Sequence, residues 1–193
     1  MKLYLKFFET ILMISILYFC FYPIDLDPIA RDAPPYPGTA GDFEINNLLT
    51  QIEFLEVNGI GPEAIAYDSL GNFYTGIENG NILKINPDLS KQSIIANTGG
   101  RPLGMKIAPK GTLVIADQFK GLISLDSLGN IDTLINEIDG TPILFADDLA
   151  ITKEGVVYFS DATQRNPIEI ENEFWEQQPS GRIISYDLNS GES

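Results

Sequence analysis

A turn glycine recurs at Gly71, Gly111 and Gly155, spaced by 40 and then 44 residues, each time within the same succession of short apolar stretches. Ahead of the glycines stand Ala64-Ile65-Ala66-Tyr67, Gly104-Met105-Lys106-Ile107 and Asp148-Leu149-Ala150-Ile151. Behind them stand Phe73-Tyr74-Thr75, Leu113-Val114-Ile115 and Val157-Tyr158-Phe159. A third stretch opens on glycine each time, from Gly80 to Asn86, Gly121 to Asp126 and Gly181 to Asp187. A fourth follows the first two units only, at Ser93-Ile94-Ile95 and Thr133-Leu134-Ile135. Short alternating segments bounded by Gly, Asn, Asp and Pro read as strands, because side chains on a strand point to opposite faces in turn. Four such strands in a unit of about 40 residues describe a β-propeller blade. An ordinary sandwich would have no reason to repeat three landmarks in three units.

The third unit is longer. Between Asp161 and Gly181 it carries roughly sixteen more residues than the second unit, including Phe174-Trp175 among Glu169, Glu171, Glu173 and Glu176. A loop of that length reads either as a lid over the channel mouth or as an acidic excursion without structure of its own. Residues 46–54 read as a helical turn at most, and the stretch from Gln51 to Val57 as a strand set apart, ready to complete the last blade of a ring.

Absences limit the chemistry. The chain has no histidine, so neither a Ser-His-Asp nor a Cys-His nucleophile can be assembled from it. Its one cysteine, Cys20, rules out internal disulfides and Cys/His zinc sites. Twelve Lys and Arg against 27 Asp and Glu leave a net charge of −15, which excludes nucleic acid as a partner, since phosphates demand basic surfaces. A metal would have to be a hard cation held through oxygen, with Ca²⁺ the leading candidate.

The N-terminus reads as an address. Lys2 and Lys6 precede an apolar run from Ile11 to Ile24, with Glu9 the charge between them. No small-residue cleavage site follows; Tyr18, Phe19 and Tyr22 stand there instead, residues suited to a membrane interface. Residues 1–24 are therefore expected to form a signal anchor with the remainder exported, the alternative being a cleaved signal peptide and a secreted chain. Residues 25–50, broken by Pro28, Pro34, Pro35, Pro37, Gly38 and Gly41, read as a linker, and residues 51–193 as the N-terminal part of a propeller.

Particular strings sharpen this. Gly61-Pro62-Glu63-Ala64-Ile65-Ala66 resembles the first-blade opening of strictosidine synthase-like proteins, a family that includes animal adipocyte plasma membrane-associated proteins. Gly100-Arg101-Pro102-Leu103-Gly104, with Ala116-Asp117-Gln118-Phe119-Lys120-Gly121-Leu122, is similar to the second blade. Phe145-Ala146-Asp147-Asp148-Leu149, with Val157-Tyr158-Phe159-Ser160-Asp161, is similar to the third, and Pro23-Ile24-Asp25-Leu26-Asp27-Pro28 resembles a segment following the anchor. The resemblance implies a six-bladed propeller related to gluconolactonases, regucalcin and paraoxonases. Only about three blades fit between Glu53 and Ser193, so the sequence is expected to be part of a longer protein, or else a unit of which two or more copies assemble one ring.

Eight residues ahead of the turn glycines stand Glu63, Leu103 and Asp147. Equivalent positions of successive blades share one level of the channel, so Glu63 and Asp147 should converge, and converging carboxylates call for a cation or a shared proton. The resemblance implies that Glu63 is a metal ligand. It also implies that Asp147 stands where asparagine is common, with Asp148 supporting from behind. Asp117 and Asp161, six residues after their glycines, read as turn residues, and Arg101 as a structural partner. The expected activity is Ca²⁺-dependent hydrolysis of a small-molecule ester or lactone. The alternatives are an amine–aldehyde condensation of strictosidine synthase type and a propeller that binds without catalysis.

Overall fold

Each of the three landmark glycines adopts a left-handed backbone, with φ of 80° at Gly71, 89° at Gly111 and 95° at Gly155. A side chain at these turns would clash with its own backbone, which is why glycine marks them. The computed structural model describes residues 2–21, 29–30, 32–36, 38–39, 41–165, 168, 171–177 and 179–193. The Pro23–Pro28 string, Pro37 and Glu169 lie outside the described residues.

Around these turns the chain folds into successive antiparallel sheets. Strands β1 (Ala66–Tyr67), β2 (Phe73–Gly76), β3 (Asn81–Ile85) and β4 (Gln92–Asn97) form the first blade in simple meander order. Strands β5 (Pro102–Ile107), β6 (Leu113–Asp117), β7 (Gly121–Leu125) and β8 (Ile131–Ile135) repeat it. A two-stranded ribbon, β9 (Glu137–Ile138) with β10 (Thr141–Pro142), leads into the third blade, which has three strands: β11 (Ala146–Ile151), β12 (Val156–Asp161) and β13 (Arg182–Asp187). The innermost strands are neighbours, β1 beside β5 and β5 beside β11, so the blades stack face to face.

Apolar faces between blades make the core. Ala66 and Ile82 of blade one meet Met105, Leu113, Ile115 and Ile123 of blade two. Val114, Ala116 and Leu122, on the other face of blade two, meet Leu149, Val157, Phe159 and Ile184 of blade three. β6 is buried on both faces along its whole length, as a central blade strand must be. Ile82→Val, which removes one methylene from a fully buried position, should cost about 1 kcal/mol, measurable as a lowered denaturation midpoint.

Two buried aspartates fasten the loops between blades. Asp117 Oδ1 accepts the backbone N–H of Arg101 and of Phe119. Asp161 Oδ1 accepts those of Leu144 and Phe145, and its Oδ2 receives Arg182 Nε at 3.0 Å. The turn reading holds for Asp117 through its bond to Phe119, two residues on, but both aspartates also reach across the fold, to partners 16 or more residues away along the chain.

Three expectations change. Helix α1 (Lys2–Phe21) forms over the N-terminal run, but among the described residues no helix is long and apolar enough to cross a membrane. Lys2, Lys6 and Glu9 interrupt its first half, and the uncharged remainder from Thr10 to Phe21 spans only about 18 Å against a hydrocarbon core of about 30 Å. Residues 52–57 are not a strand; they follow a 3-10 turn at Leu48–Gln51 and lie beside blade one, where Gln92 donates to the Glu56 carbonyl and accepts from Asn58 N–H. In the long loop, α2 (Glu171–Glu176) is pinned by an ion pair between Arg165 and the buried Glu176 and by a backbone bond from Ile29 to the Glu176 carbonyl.

Candidate functional site

Glu63, Asp147 and Asp148 meet at the inner ends of the blades. They line one open cavity of about 340 Å³ together with Ala64, Ile65, Leu103, Gly104 and Lys106. Glu63 and Asp147 are 84 residues apart in sequence, and the repeat brings them together.

Two local features place the acids. The β11–β12 register slips between Ala146 and Leu149, so Asp147 and Asp148 together oppose one residue of β12. The β5–β6 pair slips at the matching place, between Pro102 and Gly104. Such bulges re-aim side chains at strand ends. The second feature is Gly104: a Cβ there would stand 2.6 Å from the Asp147 carbonyl oxygen and 2.7 Å from Asp148 Cα. Only glycine lets β11 come so close to β5. Asp148 Oδ1 accepts its neighbour Leu149 N–H at 2.8 Å, which holds it at the bulge and fits a supporting position.

The electrostatics carry the mark of crowding. Burial pushes the Asp147 carboxyl above the ordinary aspartate range, and the charges of Glu63 and then Asp148 push it further. A cation among these oxygens would relieve that repulsion. Two bases balance part of it: Arg101 Nη2 bonds Glu63 Oε1 at 2.8 Å, and Lys106 stands on the cavity wall. Arg101 Nη1 is buried without a hydrogen-bond partner. Pairing by Arg101 follows the structural role expected of it, but its partner, the candidate ligand Glu63, was not foreseen, and nor was Lys106. Only their proximity on the inner strands, Arg101 just ahead of β5 and Lys106 within it, hinted at either.

For Ca²⁺ the donor chemistry fits, as Glu63 and Asp147 offer hard carboxylate oxygens. The donor number does not fill a coordination sphere: among the described residues no group of three or more acids is arranged to hold an ion alone. A bound Ca²⁺ would draw further oxygens from water or substrate. None of the described residues of the 162–180 loop lines this cavity, so the lid expectation finds no support here.

Comparison with known proteins bears on the same residues. Residues 41–85, which include Glu63, match the N-terminal model of the strictosidine synthase-like family. The chain is strictosidine synthase-like. It is 35% identical over 150 residues to Protein STRICTOSIDINE SYNTHASE-LIKE 4 of Arabidopsis thaliana, covering 74% of this chain and 40% of that protein. It is 32% identical to the adipocyte plasma membrane-associated protein of Danio rerio, covering 88% of this chain and 45% of that one. This strictosidine synthase-like chain thus spans half or less of the length of these relatives. Among solved structures, a gluconolactonase of Xanthomonas campestris superposes with a TM-score of 0.50 at 15% identity, over 53% of this chain and 35% of that one. A second, gluconolactonase-like structure superposes with a TM-score of 0.57 at 13% identity, over 70% of this chain and 48% of that one. At such identities the likeness is of fold, and it is to propellers.

Proposed function

We propose that this chain carries part of the channel site of a Ca²⁺-dependent hydrolase acting on small-molecule esters or lactones. One observation supports this above the others: Glu63 and Asp147 line one cavity, where burial and then the charge of Glu63 raise the Asp147 pKa, and a divalent ion would relieve the repulsion. Glu63 and Asp147 would hold the ion, with Arg101 orienting Glu63 through its Oε1 and the bulge orienting Asp147. When bound, the ion supplies a Lewis acid that polarises the substrate carbonyl. The fold shared with gluconolactonase structures is consistent with this chemistry without specifying it.

The Arg101–Glu63 ion pair favours a second reading. It balances the Glu63 charge without a metal and leaves Asp147, whose pKa burial raises, as the candidate proton donor of a metal-free site, and the amine–aldehyde condensation is a reaction that needs such an acid. The names of the adipocyte plasma membrane-associated relatives favour an exported or membrane-associated setting for either reaction.

Calcium titration calorimetry separates the two. With so few protein ligands, the 193-residue chain should bind Ca²⁺ weakly, with a Kd of about 10⁻⁴ to 10⁻³ M, and aryl-ester hydrolysis, where present, should stop in excess chelator. No calcium heat, or hydrolysis indifferent to chelator, would put the condensation reading ahead.

A further inference from the structure

Two buried polar atoms close to the candidate site go unpaired, and one is a donor where the other is an acceptor. Among the described residues, Arg101 Nη1 and Asp117 Oδ2 are the buried side-chain atoms without a hydrogen-bond partner. Each such atom costs stability, so a fold that keeps both calls for a reason. Arg101 leads into β5, Asp117 closes β6 and Glu63 stands just ahead of β1, all in the two blades that have four strands.

The acceptor stands at the foot of the arginine side chain. Asp117 Oδ1 accepts the Arg101 backbone N–H at 3.0 Å. The carboxylate lies against Gly100, where a Cβ would come within 2.1 Å of Oδ1 and 2.8 Å of Oδ2. The guanidinium lies instead against Gly61, where a Cβ would stand 3.1 Å from both of its terminal nitrogens, and bonds Glu63. Blade three shows the same aspartate fully engaged. Asp161 also accepts two backbone N–H groups through Oδ1, but its Oδ2 takes Arg182 Nε at 3.0 Å. Arg182 is the residue paired with Asp161 across the sheet, and the residue paired with Asp117 is Gly121, which has no side chain to offer. Blade two does carry an arginine beside its aspartate, and Glu63 holds it.

We propose that Asp117 and Glu63 compete for Arg101. The guanidinium holds Glu63 in this structure, and it turns to the open oxygen of Asp117 when Glu63 gives its charge to a cation. Asp117 is thereby a positioning residue for the candidate site, acting through Arg101. The role of the cation rests on the reading of Glu63 as a metal ligand; the competition itself does not. A guanidinium and a divalent ion on one carboxylate repel each other, so a group that draws the guanidinium away strengthens the hold on the ion. Asp117 draws it at little cost, because the turn gives Oδ2 a donor and the guanidinium an acceptor. By linkage, the ion favours the Asp117 position as much as that position favours the ion.

The competition is tested on the 193-residue chain in chelator, through the denaturant midpoints of a double-mutant cycle. Asp117→Asn keeps an oxygen for the two backbone N–H groups and removes the charge that would receive Arg101. Glu63→Gln sets Arg101 loose. Asp117→Asn should therefore lower the midpoint further in the Glu63→Gln background than in the wild type. That excess should vanish once Arg101→Met is added to every member of the cycle. Additive effects, or an excess that survives Arg101→Met, would overturn the proposal. A second measurement leaves Asp117 intact: with nitrogen-labelled arginine, the Arg101 guanidinium protons should stay protected from exchange in Glu63→Gln, and free exchange there would count against it equally. Titration calorimetry reads the ion. Asp117→Asn should weaken calcium binding about fivefold or more, and Arg101→Met should strengthen it and remove the effect of Asp117→Asn. Equal calcium affinities of wild type and Asp117→Asn would refute the coupling to the ion. No calcium heat in any variant would overturn the metal reading of Glu63 instead, since the cycle in chelator decides the competition without it.

Discussion

Asp147→Asn should make the calcium-free protein more stable at neutral pH while weakening its response to calcium. Burial and the neighbouring charges of Glu63 and Asp148 raise the Asp147 pKa in the folded chain. The folded state therefore holds that proton more tightly than the unfolded chain, whose aspartates titrate near ~3.9. Its stabilising contribution is fully present below that value and is lost as pH rises through the raised folded pKa. At neutral pH the ionised Asp147 is a burden, and a neutral isostere removes it. The same substitution withdraws a charge that a divalent ion needs, so calcium affinity should fall about tenfold or more. Thermal melts with calcium and with chelator give both results: a calcium-dependent rise in Tm for the wild type, and for Asp147→Asn a higher metal-free Tm with a smaller rise at the same calcium concentration. Calcium affinity of the wild type should also weaken as pH is lowered through the Asp147 titration, because protons and the ion compete for one carboxylate. A variant that melts earlier than wild type without metal would contradict the repulsion argument. One that keeps the full calcium shift would remove the Asp147 charge from the site.

The largest loss of stability should come from Asp161→Ala. This carboxylate is completely buried and holds three donors, the N–H groups of Leu144 and Phe145 through one oxygen and Arg182 through the other. Removing it strands two backbone donors and takes the counter-charge from the Arg182 guanidinium, which keeps only carbonyl partners such as Pro142, at a cost of about 3 to 5 kcal/mol. In a chain of this size that corresponds to a Tm lower by about 10 °C. Asp117→Ala gives the internal comparison. Asp117 is equally buried and also binds two backbone N–H groups, but its Oδ2 has no partner and no arginine depends on it. Its loss should cost less, about 1 to 3 kcal/mol. Denaturant titration of the two variants, read for midpoint and slope, should rank Asp161→Ala well below Asp117→Ala. Equal costs would mean that the Arg182 pair adds nothing to the backbone bonds.

The blades were legible in the sequence because their determinants are local. Glycine at 71, 111 and 155 answers a demand of the turn itself, and all three adopt the left-handed backbone there. The apolar runs Leu113-Val114-Ile115 and Val157-Tyr158-Phe159, short and bounded by turn residues, suit strands inside a sheet, and both stretches are strands. The common level of Glu63 and Asp147 was legible for the same reason, since a repeat carries equivalent positions to equivalent places, and one cavity receives both. What only the tertiary structure decided lies between repeats. No spacing rule joins Arg101 to Glu63, or Arg182 to Asp161, or brings Asp147 so close to Gly104 that a single methyl group would not fit. Those contacts depend on how one blade face settles on the next, a matter of side-chain volume and backbone approach summed over both sheets. The same holds for residues 52–57: their composition suits a strand, but a strand exists only where an edge pairs with it, and among the described residues none does.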